Sequence, residues 1–239
     1  VALRNIPDTD WYTQVEKTHY QAQVNKAATR KPLFGDLHVH TRYSFDAYVF
    51  GTLASPGNAY EFAKGSPIKH PAGFDVSLNK PLDFYGVTDH GMFLGLVREA
   101  ATPGTEFYNN PASETVRDIN VLDNLNLGSF NQRRSAFAGF LTDATLASVN
   151  GILDTNYMNK VSRTAWADTI EAADRHYIPG EFTTFVGYEY TTSTLNMGNL
   201  HRNVIFRGGG NKYPALPFSR ANATNPEKLW EWMDNLREQ

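Results

Sequence analysis

The chain has 239 residues, 41% of them hydrophobic, with 22 Lys and Arg against 25 Asp and Glu and a formal net charge of −3. That length supports one sizeable core, and without a basic stripe to neutralise phosphates no nucleic-acid partner is expected. There is no cysteine, which excludes disulfides and a thiolate metal site and leaves nitrogen and oxygen as the metal donors. No run of about 18 apolar residues is present, so no membrane insertion is expected. The missing cysteine fits a periplasmic or secreted protein, with a cytoplasmic one as the alternative.

In chain order, residues 9–30 read as an amphipathic helix opened by Thr9 or Asp10, within an N-terminal helical extension over 1–32. Residues 33–40 are the first expected strand. A turn-rich loop follows, then a short helix near 58–64 and a Gly/Pro/His-containing loop over 65–73. Residues 82–88 are a second strand, apolar enough for burial on both faces. Helical periodicity covers 113–126, 130–148 and 157–176, separated by Gly128 and by the Asn150-Gly151 turn. Residues 182–190, rich in Thr, Phe, Val and Tyr, are a third strand, and 202–206 a fourth. Asn225-Pro226-Glu227 opens a last helix with Asn at the N-cap and Pro at the first helical position. That helix runs through Leu229, Trp230, Trp232, Met233 and Leu236 to Gln239 without a stop signal. Strands separated by long helical stretches point to an α/β layout with parallel strands. Four strands are too few for a closed barrel, so 33–239 is expected to be the N-terminal part of a domain completed by a C-terminal companion segment or chain.

The chemistry sits at strand ends. Gly35-Asp36-Leu37-His38-Val39-His40-Thr41-Arg42-Tyr43 spaces two histidines two residues apart. Side chains alternate along a strand, so His38 and His40 point one way and can grip one ion, while Leu37 and Val39 pack into the opposite layer. Asp46 follows shortly after, Asp89-His90 ends the second strand, Glu189 lies late in the third, and His201 opens the fourth. Strand C-termini line the active site of α/β barrels and open parallel sheets, so these distant segments converge there. Glu189 is a carboxylate in an apolar strand, for which a cation is the economical partner. Asp36 and Asp89 are expected to orient ligand imidazoles. Asp46 has the alternative of capping a turn, His201 that of a core histidine, and His70 is open between ligand and loop residue. His19 and His176, on helices away from strand ends, read as surface residues.

The segments Phe34-Gly35-Asp36-Leu37-His38-Val39-His40-Thr41, Ser44-Phe45-Asp46-Ala47, Pro81-Leu82-Asp83-Phe84, Val87-Thr88-Asp89-His90, Gly187-Tyr188-Glu189 and Asn199-Leu200-His201-Arg202-Asn203-Val204-Ile205-Phe206 together carry a resemblance. The sequence is similar to the polymerase-and-histidinol-phosphatase (PHP) metallohydrolase superfamily and, within it, resembles the bacterial branch named domain of unknown function 3604. The resemblance spans 33–239 and implies a PHP-like metallohydrolase domain. Its fold would be a distorted seven-stranded, TIM-like β/α barrel with two or three divalent metal ions. It makes His38, His40, Asp46, His90, Glu189 and His201 ligands, with Glu189 the bridge between two ions. The family pattern usually finishes its site with a further His and an Asp-x-His toward the C-terminus, both expected in the companion segment, and tends to have an acidic residue where Gly91-Met92 stands here.

Imidazole and carboxylate ligation suits Zn, Mn or Fe over Ca. The family's usual substrate is a phosphoester. The expected activity is therefore metal-dependent hydrolysis of a phosphoester or related phosphorus ester, with metal-bound hydroxide as the nucleophile. Glu189 is the expected bridge, and Arg42 and Arg202 are expected beside the metals because guanidinium forks match phosphate oxygens; both could equally be surface arginines. Tyr43 and Tyr188 are candidates for the pocket wall. The alternatives are an amidohydrolase-type hydrolase of C–N or C–O bonds, which also opens with His-x-His, and a non-catalytic metal-binding module. Structural zinc sites are closed and usually thiolate-rich, which counts against the module.

Overall fold

The computed structural model describes residues 31–121, 129–195, 198–207 and 213–238; the expected helix over 9–30 and His19 lie outside them. The chain divides into two units, Val1–Leu33 and Phe34–Gln239. The second contains β1 (Gly35–Val39), α1 (Phe45–Val49), α2 (Pro56–Ala63), β2 (Ile68–Lys69), β3 (Asp75–Val76), β4 (Phe84–Val87), α3 (Leu96–Ala100), α4 (Phe130–Val149), α5 (Thr155–His176), β5 (Thr183–Thr194), β6 (Gly198–Ile205) and α6 (Glu227–Arg237). No described helix is long and apolar enough to cross a membrane.

Four strands form one sheet in the order β1-β4-β5-β6, and β2 and β3 form a separate ribbon. β1, β4 and β5 run parallel. β6 runs antiparallel to β5, with Glu189 opposite Asn203 and Thr191 opposite His201. This corrects the all-parallel expectation: the link from Thr194 to Gly198 is too short for the crossover of roughly a dozen residues that a parallel neighbour needs. β5 and β6 also extend beyond their expected ends, so His201 lies within β6 instead of opening it.

The sheet curls into a half-barrel. Neighbouring strands sit about 4.8 Å apart, so β1 and β6 would be roughly 14 Å apart if flat. The Asn203 side-chain amide of β6 nevertheless donates to the Leu37 carbonyl of β1 at 2.9 Å. Alternation then sorts the faces: Val186, Tyr188 and Tyr190 are buried outward, while Glu189 and Thr191 share the inner face with Asn203 and His201. Glycine is required inside. A Cβ on Gly187 would stand 2.7 Å from Ile205 Cδ1 and 2.8 Å from the Val204 carbonyl oxygen.

The outward face packs with α2, α5 and α6 into one core that includes Tyr60, Val87, Trp166, Tyr188, Tyr190 and Leu229. Local signals place these helices. Ser55 at the N-cap and Asn58 in the first turn form a capping box at the start of α2, and Asp154 caps α5 through the Asn156 N–H. α5 buries Ala165, Trp166, Thr169, Ala172, Ala173 and His176, one stripe at helical spacing. His176 is therefore no surface residue: its ring stacks on Tyr60 at 5.6 Å. A second core, with Phe45, Val49, Leu96, Phe107 and Phe140, joins α1, α3 and α4.

The helix expected over 113–126 is not formed in its described part. The chain makes a 3-10 turn at Pro111–Ser113 and further turns, and Asp118 takes a positive φ of 57°. Side chains compete with the helical ladder here. Ser113 Oγ donates to the Tyr108 and Asn110 carbonyls, as the Arg117 guanidinium does.

Candidate metal centre

The site begins at the joined ends of β1 and β4. The Val39 N–H donates to Thr88 Oγ1 at 3.0 Å. Buried Asp89 accepts from the Thr41 N–H at 2.5 Å and from Thr41 Oγ1 at 2.6 Å. These bonds turn the chain after His40. Burial pushes the Asp89 carboxyl up to about 6 against the lowering effect of the Thr41 bonds. Asp89 thus fixes backbone and does not orient a ring, which corrects that expectation. Asp36 is corrected likewise: it is exposed and accepts from the His38 backbone N–H at 2.9 Å, not from an imidazole.

Around this junction, six side chains from five segments meet. Glu189 is only 1% exposed, and its Oε2 lies 3.1 Å from Nε2 of both His38 and His40 and 3.6 Å from His90 Nδ1. Its Oε1 contacts His201 Nδ1. Asp46, in the first turn of α1, places Oδ2 3.3 Å from His90 Nε2. Strand pairing holds His90 in place, since His90 and Glu189 form a parallel bridge and the Gly91 N–H donates to the Glu189 carbonyl.

Three overlapping groups result: His38, His40 and Glu189; His40, Asp46 and His90; His90, Glu189 and His201, with donor atoms inside each group within 4.8 Å of one another. Donors about 2.1 Å from one ion lie no more than roughly 4.2 Å apart, so each group needs only a small contraction to hold a cation. The electrostatics agree. Burial alone would raise Glu189, yet hydrogen bonds and charges from His40, His90 and His201 bring it down to about 2. Burial would also raise Asp46, but His90, Ser44 and His40 hold it well below the usual carboxylate range. Burial would lower His40, but the Glu189 hydrogen bond and the charges of Asp46, Asp89 and Glu189 outweigh it and lift the imidazole above 6.5. The carboxylates are ionised and compensated by imidazoles, the arrangement a divalent ion would take over.

The expected arginines are not brought to this cluster. Arg42 lies over the Tyr43 ring, 5.3 Å from its centroid, and approaches Asp168 at 3.9 Å. Arg202 pairs with Tyr190, so alternation turns it to the opposite face from His201. Tyr43 and Tyr188 are buried; Tyr43 lines a small cavity with Arg98, Glu99 and Tyr157 and donates to Asp168 at 2.5 Å, and Tyr188 packs edge-on against Trp166. His70 stacks on Phe74 at 4.3 Å within the β2–β3 ribbon. Three polar residues escaped sequence reasoning: Ser44, Thr191 and Asn203. Thr191 could have been found by alternation from Glu189, and Ser44 by its place between His40 and Asp46.

The fold and the site define a mixed α/β protein with His, Asp and Glu groups that could hold a metal ion. The chain belongs to the family described as Protein of unknown function (DUF3604), whose model matches residues 27–239. No curated protein and no solved structure matches it.

Proposed function

We propose that the chain is a metal-dependent hydrolase of the PHP type that acts on a phosphoester or related phosphorus ester. The observation that carries this reading is Glu189, a buried carboxylate with one oxygen facing His38 and His40 and the other facing His201. A charge so withdrawn from water needs a close cationic partner, and the all-nitrogen-and-oxygen donor set suits Zn, Mn or Fe. The open side of the cluster favours catalysis over a structural role. The His38 side chain is 58% exposed and that of His201 37%, whereas structural zinc sites are closed.

Bound divalent ions, two or three, would supply Lewis acidity at the phosphoryl oxygen and a lowered pKa for water. Glu189 would bridge two of them, with His38 and His40 holding one side and His201 the other. Asp46 and His90 would hold the position beside α1, and Asp89 would keep the β1 end in place through Thr41. The seven-stranded barrel is part of the same proposal, supported by the curl that brings Asn203 to Leu37. The phosphorus ester, as opposed to an amide or carboxylic ester, rests on the sequence resemblance.

The test is to strip the protein with a chelator, reload it with Zn, Mn or Fe(II), and screen generic phosphomonoesters and phosphodiesters. Metal-dependent turnover that is absent in Glu189→Gln is the expected result. Reloaded protein that turns over no phosphoester, or turnover that survives chelation, would overturn the reading. Hydrolysis of amides or carboxylic esters alone would move it to the amidohydrolase type.

A further inference from the structure

Resting on the metal-centre reading above, we infer that Ser44 is a positioning residue that fixes the proton of His40 on Nδ1 and so presents Nε2 to a metal ion. Ser44 is completely buried and stands at the N-cap of α1, yet its side chain makes no cap hydrogen bond. A serine there normally accepts from the first turn of the helix. This hydroxyl serves the site instead. Its Oγ lies 2.7 Å from Asp46 Oδ1, 2.8 Å from His40 Nδ1 and 3.4 Å from the His90 backbone nitrogen. One atom therefore touches three of the residues assigned as ligands.

A hydroxyl has one proton and two lone pairs. Asp46 can only accept while ionised, so the Ser44 proton goes to its Oδ1. The two lone pairs then accept from the His90 N–H and from His40 Nδ1, which must carry a hydrogen. Nε2 donates to Glu189 Oε2 at 3.1 Å in the metal-free site, and a cation entering between them would displace that hydrogen and take the Nε2 lone pair while Nδ1 keeps its own. Thr191 repeats the pattern at the next ring: its Oγ1 lies 2.6 Å from His90 Nδ1, and His90 Nε2 faces Asp46. Ligand histidines commonly have their second nitrogen held in this way, and removing such a partner typically weakens metal binding about 10- to 100-fold.

The experiment is 15N NMR of histidine side chains in the zinc-loaded full chain, with zinc affinity measured by competition with a chromophoric chelator. In the wild type the His40 ring should carry its hydrogen on Nδ1. Ser44→Ala should retain the circular dichroism of the wild type, bind zinc about 10- to 100-fold more weakly, and show a His40 ring no longer fixed in one tautomer. Ser44→Thr, which keeps the hydroxyl, should recover part of the affinity. A wild-type His40 with its hydrogen on Nε2 overturns the inference without any variant, as does a Ser44→Ala protein with wild-type affinity and tautomer. Wild-type protein that takes up no zinc refutes the metal reading itself and the positioning role with it.

Discussion

His40, one residue past β1, and Glu189 on β5 meet with Nε2 and Oε2 3.1 Å apart, although β4 lies between their strands. Two strand spacings amount to about 10 Å in a flat sheet. The curl closes that gap, and the small residues on the inner face permit it. Gly187→Ala should therefore be costly even though it adds one methyl. The new Cβ would meet the Val204 backbone oxygen at 2.8 Å, and overpacking of this kind costs about 1–3 kcal/mol. Urea denaturation of the two proteins measures the difference, and an unchanged midpoint would contradict the close approach.

Glu189→Gln keeps the shape of the side chain and removes its charge. The expected outcome is loss of bound metal by elemental analysis, loss of any phosphoester turnover, and helical content close to that of the wild type. His40→Ala should behave alike. Metal added to the wild type at about 100 times its dissociation constant should stabilise it by roughly 2.7 kcal/mol. The Glu189→Gln protein should gain much less.

Metal affinity should fall as pH drops. His40 is held above its ordinary 6.5, so protons compete with a metal for its ring from the neutral range downward, and binding releases them. Calorimetric titration at two pH values, one above and one below that range, should show weaker binding on the acidic side. Equal affinity at both would contradict ligation by His40.

Much of this arrangement was legible in the sequence, for definite reasons. His38 and His40 share a face because strands alternate, and His90 and Glu189 sit late in or just after strands of apolar composition, so short-range pattern was enough to name them. The direction of β6 depended on where β5 ends. With the third strand ended at 190 and the fourth opened by His201, no hairpin is visible and a parallel neighbour is expected; the pairing of Thr191 with His201 makes β6 antiparallel and decides which face Arg202 takes. Asp36 and Asp89 have the side-chain type that could hold a ring, but backbone groups claim both, the His38 N–H within β1 for Asp36 and the turn at Thr41 for Asp89. His176 looked solvated because its cover, Tyr60, comes from another helix. The segment over 113–121 had helical periodicity, but Ser113 and Arg117 bond the backbone in ways that periodicity does not register.

His176 also gives a prediction about stability. Burial, followed by the charges of Lys64 and Arg175, lowers its pKa from 6.5, against an opposing contribution from Glu61. The folded state then binds fewer protons than the unfolded state just below pH 6.5. Its stabilising contribution is present above that pH and is lost as pH falls through the depressed value. His176→Phe, which keeps a ring against Tyr60, should remove this part of the acid sensitivity. Denaturation midpoints between about pH 7 and pH 5 should fall more steeply for the wild type than for the variant, and parallel profiles would contradict a buried neutral imidazole.

The most direct measurement of the central claim is anomalous diffraction from crystals of the protein loaded with zinc or manganese, collected above and below the absorption edge of the metal. The account predicts peaks about 2.0–2.2 Å from donor atoms of His38, His40, Asp46, His90, Glu189 and His201, with at least one peak bonded to Glu189. Loaded crystals with no peak at this cluster, or with peaks only elsewhere on the molecule, would contradict it.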